Sequence, residues 1–410
     1  MRIRRLTDLA ALPLALLMTC TGATFTYGGE TKPPQAEPSA AAAASDLPQA
    51  WPEAVGVDTA PLIRMSKWIR NEKLDVRSLL VVKDGQLIFE RYGDGLSRDH
   101  NYELYSVTKT VTSLLTGILV GEGKLSAGEK VAPRIAAARP EFKEALADNQ
   151  NIELRHLLSM SSGLYYKTTE GTDPLYYLAP DRLKVALGTE ARIPPETRFD
   201  YTDVNPVLAG ATVSAAAGKP EDKFAEERLF KPLGMKNYHW TGLDETRSVS
   251  GGWGSRLRAI DMAKLGLVML DGGRWQDKQI VPASWIGQMK TSSATAKDYG
   301  YYCWISHVVE SEPEFGAMGF KGQFITVLPK QHAVVVMTSI LPTDGGLRTA
   351  TYLNMYRRMV NDYILPAMAD GKKTVSTEGS QEALRKELEL SRQTMGVAGT
   401  AEAPNDAPEL

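Results

Sequence analysis

The sequence predicts an α+β fold, in which one antiparallel sheet is built from both ends of the chain and flanked by helices, with a mostly helical lobe inserted between. Three observations carry this. Two strand-like apolar runs lie on either side of Asp84-Gly85, a hairpin turn signal. From about 120 to 290 apolar residues recur at three- and four-residue steps, the spacing of helices. After Lys297 the chain returns to short strand-like runs.

The 410 residues are ample for a buried core. Lys plus Arg total 47 and Asp plus Glu 49, so the chain lacks the basic footprint of a nucleic-acid binder. Residues 1–23 read as an export signal: Arg2, Arg4 and Arg5 precede an apolar run from Leu9 to Met18, and Thr21-Gly22-Ala23 suits cleavage. The reading implies an exported protein, periplasmic in a bacterium. A lipid on Cys20 is the competing outcome and the one route to a membrane, although Thr19 stands where such signals carry a smaller residue. Cys20 and Cys303 are the only cysteines, so loss of the signal leaves no internal disulfide. Residues 24–50, rich in Pro and Ala, read as a linker.

A single domain is expected over 51–368, with a sheet lobe at about 60–105 and 297–368 and a helical lobe at about 106–296. Its first helix spans Leu62 to Ile69, and the hairpin pairs Leu79–Val82 with Leu87–Tyr92. Arg155 to Leu164 reads as a helix running into a Ser- and Gly-rich stop. Glu221–Phe230 and Ala259–Leu270 are further helices, the second ending at Asp271-Gly272-Gly273. Strands are expected at Tyr299–Ile305, Gly322–Pro329 and His332–Thr338, and a closing helix at Leu347–Met368. Residues 369–410 read as a polar, solvated tail with one helical stretch near 381–393.

The chemistry centres on Ser106. Val107, Val111, Leu114, Leu115 and Ile118 predict a helix with one face in a core, and Ser106 stands at its front, where a serine can cap the helix. The dipole end of that helix favours an oxyanion. Lys109 follows three residues on, on the same face, so a hydroxyl and an amine can share a proton. From the pair alone, a capped helix with an inert lysine is the favoured reading, and the motifs that follow reverse it.

Ser106-Val107-Thr108-Lys109 is the one Ser-x-x-Lys in the chain, and it resembles the first motif of the serine β-lactamase and penicillin-binding-protein superfamily. The resemblance extends over about 60–365 and is nearest to the branch of class C β-lactamases, esterases and 6-aminohexanoate-dimer hydrolases. It implies a β-lactamase/DD-peptidase-like α+β fold. Tyr201-Thr202-Asp203 is similar to that branch's Tyr-x-Asn motif, with a carboxylate in place of the amide. By this resemblance Tyr201 handles the serine proton. A phenol acts as a base only when cations hold it deprotonated, and Lys109 is the available cation. Asp203 can only accept, so it is expected to pair with Lys109 and keep it charged. The third motif corresponds to Phe320-Lys321-Gly322 on an edge strand, followed by Gln323. The implied oxyanion hole is the pair of backbone N–H groups of Ser106 and Gln323. Phe320 replaces the usual cation, and the side chain of Lys321 is expected on the opposite strand face. Asp203, Gly322, Lys321 and Tyr177 are therefore expected to touch substrate, with Tyr176 as a further wall.

Two literal matches stand outside the right context: Tyr352-Leu353-Asn354 in the closing helix and Lys290-Thr291-Ser292 with no strand after it. The chain has no Gly-x-Ser-x-Gly elbow, no His-Glu-x-x-His, and five scattered histidines, so no metal or organic cofactor is implied. The expectation is a serine hydrolase that cleaves a small or medium amide or ester, or a short peptide-like substrate, through an acyl-enzyme on Ser106. A D-Ala-D-Ala-type peptidase or β-lactamase is the enzymatic alternative, and a non-catalytic sensor or binding module the alternative of another class. The oligomeric state is left open.

Overall fold

The computed structural model describes residues 46–166, 174–176, 179–189, 193–340, 348–369 and 377–393. Its main sheet has six strands: β1 (Val76–Lys83), β2 (Gln86–Tyr92), β3 (Trp304–Ile305), β4 (Phe315–Gly319), β5 (Gln323–Leu328) and β6 (Ala333–Ser339). They run in the order β2-β1-β6-β5-β4-β3, every neighbouring pair antiparallel. The two chain ends thus meet at β1 and β6, where Val81 stands opposite Val335. Asp84 and Gly85 both adopt positive φ, the backbone of a tight hairpin turn whose twist matches its strands.

Every residue of β5 and β6 is buried, as expected of central strands covered on both faces. One face packs on α1 (Thr59–Asn71), whose N-terminus is capped by the Asp58 carboxylate accepting from Ala60 N–H at 2.9 Å. The closing helical run, α5 (Arg348–Arg358) continued by Met359–Ile364 and Leu365–Met368, shares that core through Tyr356, Met359 and Ile364. The other face packs on the helices of the inserted lobe, chiefly α2 (Val107–Gly121) and α4 (Ala259–Leu270), with α3 (Val204–Ala217) behind.

Several expectations need correction. From Val107 to Leu119 every residue of α2 is buried, so this helix is enclosed on all sides. Its threonines are satisfied inside: Thr108 by Ser255 Oγ at 2.7 Å and Thr110 by the Tyr302 carbonyl at 2.7 Å. The lobe contains a small sheet of Asn101–Glu103, Ser255–Arg258 and His239–Trp240, with strands too short for a period-two signal. Of the run Tyr299–Ile305 only Trp304 and Ile305 are strand, because Tyr302 turns the chain with φ of 51°. Strand β4 escaped the sequence reading, its glycines at 316 and 319 diluting the apolar pattern.

The boundaries move at both ends. Asp46 pairs with Arg258 at 3.1 Å and Leu47 is buried, so the body begins inside the stretch read as linker. The stretch read as a solvated tail contains α6 (Glu378–Arg392), which docks on α1. Glu387 of α6 is buried, accepts from Ser66 Oγ at 3.1 Å and pairs with Arg70 at 3.1 Å. A polar composition hid this because the buried side is a narrow stripe, Leu384, Glu387 and Ser391.

Candidate active site

Ser106 already has helical backbone angles, φ −68° and ψ −8°, and its side chain makes no cap bond, contrary to the capping role read from its position. The preceding Tyr105 takes a left-handed φ of 47°, which turns the chain sharply into α2. The hydroxyl is engaged sideways: Lys109 Nζ donates to Ser106 Oγ at 2.9 Å. Lys109 itself is buried, and its ammonium also donates to the Gly252 carbonyl at 3.0 Å and pairs with Asp203 Oδ1 at 2.6 Å. Burial pulls its pKa down, but the Asp203 carboxylate and the Tyr201 phenol outweigh that and hold it above the usual lysine value. A charged ammonium donating to Oγ cannot also take the Oγ proton.

Tyr201 and Asp203 arrive on the turn that leads into α3. The Tyr201 ring lies 5.0 Å from Lys109 Nζ, stacks on Trp304 at 5.9 Å and meets Tyr299 edge-on at 6.1 Å. It is 38% exposed, so the phenol is held at the surface of the site between a buried cation and solvent. Asp203 is fixed from its other oxygen by the Tyr176 hydroxyl, and the Tyr176 ring packs against Trp253. Structure therefore brings Ser106, Lys109, Tyr201, Asp203 and Tyr176 together. Tyr177 lies outside the described residues.

The third motif is placed differently from the sequence expectation. Phe320-Lys321-Gly322 forms the turn between β4 and β5, not an edge strand. Lys321 has φ of 61° and its ammonium rests 5.8 Å from the Tyr105 ring, so it sits in a turn where alternation of strand faces does not apply. Phe320 is exposed and packs edge-on against Tyr105 at 5.6 Å. Gly322 takes φ of 93° and faces Ser339 Oγ, so it closes the hairpin. Gln323 opens an interior strand opposite Gly319, and its buried side chain donates to the carbonyls of Phe320 at 3.2 Å and Ser339 at 2.6 Å.

The open edge belongs to β4. Strand β3 covers only Phe315 and Gly316, and no strand among the described residues pairs with Ala317–Gly319 on that side. Ser306 N–H donates to the Glu314 carbonyl at 2.8 Å, so by strand alternation Glu314, Gly316 and Met318 turn their main-chain groups outward. Gly319 abuts the segment before the serine: a Cβ there would lie 2.4 Å from the Leu104 carbonyl oxygen. Sequence reasoning missed this strand, and the glycine spacing in Phe315-Gly316-Ala317-Met318-Gly319 was the available signal, since glycine inside a strand marks close backbone approach.

The Beta-lactamase family profile matches residues 73–355. Among curated relatives, the chain is 24% identical over 379 residues to an Escherichia coli protein named "Putative D-alanyl-D-alanine carboxypeptidase", covering 72% of this chain and 86% of that one. Its fold is similar to the solved structure "Putative 6-aminohexanoate-dimer hydrolase from Bacillus anthracis", with TM-score 0.61, 22% identity, and 73% and 81% of the two chains covered. It is likewise similar to "EstCE1, a hydrolase with promiscuous acyltransferase activity", with TM-score 0.61, 17% identity, and 74% and 99% covered. With well over half of its length matched by the profile, and with a β-lactamase-like α+β fold around Ser106, the chain belongs to the Beta-lactamase family of serine hydrolases.

Proposed function

We propose that the protein hydrolyses a small or medium amide or ester through an acyl-enzyme on Ser106. The observation that carries the reading is the buried Lys109 ammonium, joined at once to Ser106 Oγ and Asp203 beside the Tyr201 phenol. Such a set of contacts has no purely structural need for a buried cation, which costs several kcal/mol to desolvate. In acylation, Ser106 Oγ bonds to the substrate carbonyl carbon and its proton passes to the Tyr201 oxygen, which lies beside the Lys109 ammonium. The same proton then goes to the departing alcohol or amine as the C–O or C–N bond breaks. Water repeats the sequence: its oxygen bonds to the acyl carbon, its proton moves through Tyr201, and Oγ leaves with that proton.

The oxyanion is stabilised by the Ser106 N–H at the start of α2 and by a second backbone donor. The outward N–H of Met318 suits that role better than the N–H of Gln323, which lies on the hairpin-closing pair with Gly319. Phe320, Tyr105, Tyr201 and Trp304 supply aromatic walls on either side of the serine, which suits apolar acyl or leaving groups. Export of the chain is supported by residues 1–23 alone.

Intact-mass analysis after exposure to a fluorophosphonate, beside Ser106→Ala, tests the reading. One adduct that vanishes in the variant is the expected result. No adduct on folded wild-type protein overturns it in favour of a binding module. Turnover of an ester, amide, β-lactam and D-Ala-D-Ala peptide panel then separates the hydrolase reading from the peptidase and lactamase alternative.

A further inference from the structure

Behind the site, outside the reacting groups, lies an acidic side chain that the chemistry above does not use. Glu221 opens the short helix Glu221–Ala225 and is buried. Its Oε1 lies 2.7 Å from Thr112 Oγ1, one turn further along α2 from Lys109. The same hydroxyl lies 2.8 Å from the Gly251 carbonyl oxygen. Glu221 Oε2 has no hydrogen-bond partner and sits against Gly210 of α3, where an added Cβ would come within 2.3 Å of it.

Counting protons decides the state of this group. A threonine hydroxyl carries one hydrogen, and a carbonyl oxygen can only accept. If Thr112 donates to Gly251, the bond to Glu221 requires the carboxyl to be the donor. If Glu221 were ionised, Thr112 would have to choose, and a negative charge would rest partly on an oxygen with no partner in a dry interior. We infer that Glu221 is protonated in the working protein and acts as a positioning residue for Lys109: its O–H donates to Thr112, Thr112 donates to the Gly251 carbonyl, and the fixed Gly251-Gly252 segment presents the carbonyl that holds the Lys109 ammonium. The inference deepens the serine-hydrolase reading and, for its effect on rate, rests on it.

The surroundings agree. Burial pushes the Glu221 carboxyl up to about 8, and the neighbouring Asp222 adds to the rise. On α2 the nearest charged group is Lys109, already neutralised by Asp203. Tyr302, buried nearby, has its phenol raised chiefly by burial, so it too offers no charge to balance an ionised Glu221. Across an adjoining cavity of about 370 Å³ stand Arg139, Arg182, Asp244 and Arg247. Arg139 is engaged by Asp181 and Glu141, while Arg182 donates to the carbonyls of Leu175 and Gly242. None of these cations pairs with Glu221, so nothing among the described residues compensates an ionised form.

Two consequences follow for measurement. Loss of the proton above about pH 8 takes the Thr112 hydrogen away from Gly251 and loosens one of three anchors of Lys109, so the rate of Ser106 acylation falls on the alkaline side. For stability, the folded pKa lies above the usual 4.5, so between 4.5 and about 8 the folded state holds a proton that the unfolded chain has lost. Within that window stability declines as pH rises, by up to one proton's slope.

The experiment uses the whole chain and Glu221→Gln, which keeps a donor to Thr112 and cannot ionise. Thermal unfolding from about pH 5 to 7.5 is expected to fall more steeply with pH in the wild type than in the variant. Fluorophosphonate labelling of Ser106 across pH is expected to lose its alkaline fall, about tenfold per pH unit for one proton, in the variant alone. Should Glu221→Gln fail to fold, a carboxylic-acid infrared band of the wild-type protein that bleaches with a midpoint near pH 8 supports the inference. Equal unfolding slopes, or the absence of any such band at pH 7, overturns it. No labelling at any pH refutes the serine reading instead, while the unfolding slopes still report on the Glu221 proton.

Discussion

Asp203 Oδ1 lies 2.6 Å from Lys109 Nζ, in the place where the resembled Tyr-x-Asn motif carries an amide. The pair is buried, with side-chain exposures of 1% and 13%, so it is screened little by solvent. The substitution trades one function for another. An amide donates to a substrate carbonyl but leaves the lysine charge to be balanced elsewhere, whereas the carboxylate balances that charge and gives up the donor. A site built this way keeps Lys109 as a fixed cation and leaves proton transfer to Tyr201.

Asp203→Asn is therefore expected to destabilise the fold by about 3 kcal/mol at neutral pH, because it strands a buried ammonium. The Lys109 pKa is raised above the usual 10.5 in the folded state, so the stabilisation is fully present below 10.5 and is lost as pH rises through the higher folded value. Urea unfolding of both proteins at pH 7 measures it. A loss below about 1 kcal/mol would show that the ion pair is dispensable.

Tyr201→Phe removes the phenol that touches the Lys109 ammonium among the described residues and leaves its ring packing on Trp304 and Tyr299 intact. A drop in kcat of about 10²–10⁴ with an unchanged melting temperature is expected. Lys109→Ala should cost a similar factor, and the double variant little more than either alone, since the two groups serve one proton transfer. Losses that multiply would speak against a shared network, and steady-state kinetics on one activated ester decides the matter.

The first half of the site was legible because it is local. Ser106 and Lys109 sit on one helix at a spacing that sequence displays, and Tyr201 with Asp203 falls in one short segment whose pairing with Lys109 follows from charge alone. The sheet built from both chain ends was equally readable, since β1, β2, β5 and β6 carry short, mainly apolar runs rich in β-branched and aromatic residues. What was not legible depends on non-local geometry. Whether Gly322 lies on an edge strand or in a hairpin turn is decided by the pairing of Gly319 with Gln323, which no local pattern reports. The open edge exists only because β3 stops after two residues, and it stops because Tyr302 and Ser306 adopt positive φ. The Glu221–Thr112–Gly251 chain joins α2 to two segments that each lie more than a hundred residues beyond it.

Gly319→Ala tests how closely the edge strand is set against the nucleophile. The new methyl would meet the Leu104 carbonyl oxygen at 2.4 Å, so either β4 or the segment leading into Ser106 must move. A displacement of this size between nucleophile and oxyanion donor is expected to lower kcat about 10²-fold. Gly287→Ala, in the helix Ala283–Met289 with open space around it, serves as the control and should leave kcat unchanged. If Gly319→Ala retains wild-type kcat, the β4 edge does not serve the reaction.

The docking of α6 makes a prediction about where the domain ends. Glu387 is buried between α6 and α1, where it accepts from Ser66 Oγ and both donates order to and balances Arg70 at 3.1 Å. Arg91, buried below, has its guanidinium pKa lowered by burial to about 10, and Glu387 opposes that fall. Replacing Glu387 with Ala leaves two arginines facing each other without their anion, a change expected to cost about 3 kcal/mol. Deleting residues 377–410 should cost at least as much, since it also uncovers the apolar side of α1 against which Leu384 packs. Both effects should appear in the melting temperature while the fluorophosphonate reactivity of Ser106 at low temperature is preserved, because the sheet lies between α6 and the serine. A truncated protein as stable as the full chain would return the boundary to about residue 368, where the sequence alone had drawn it.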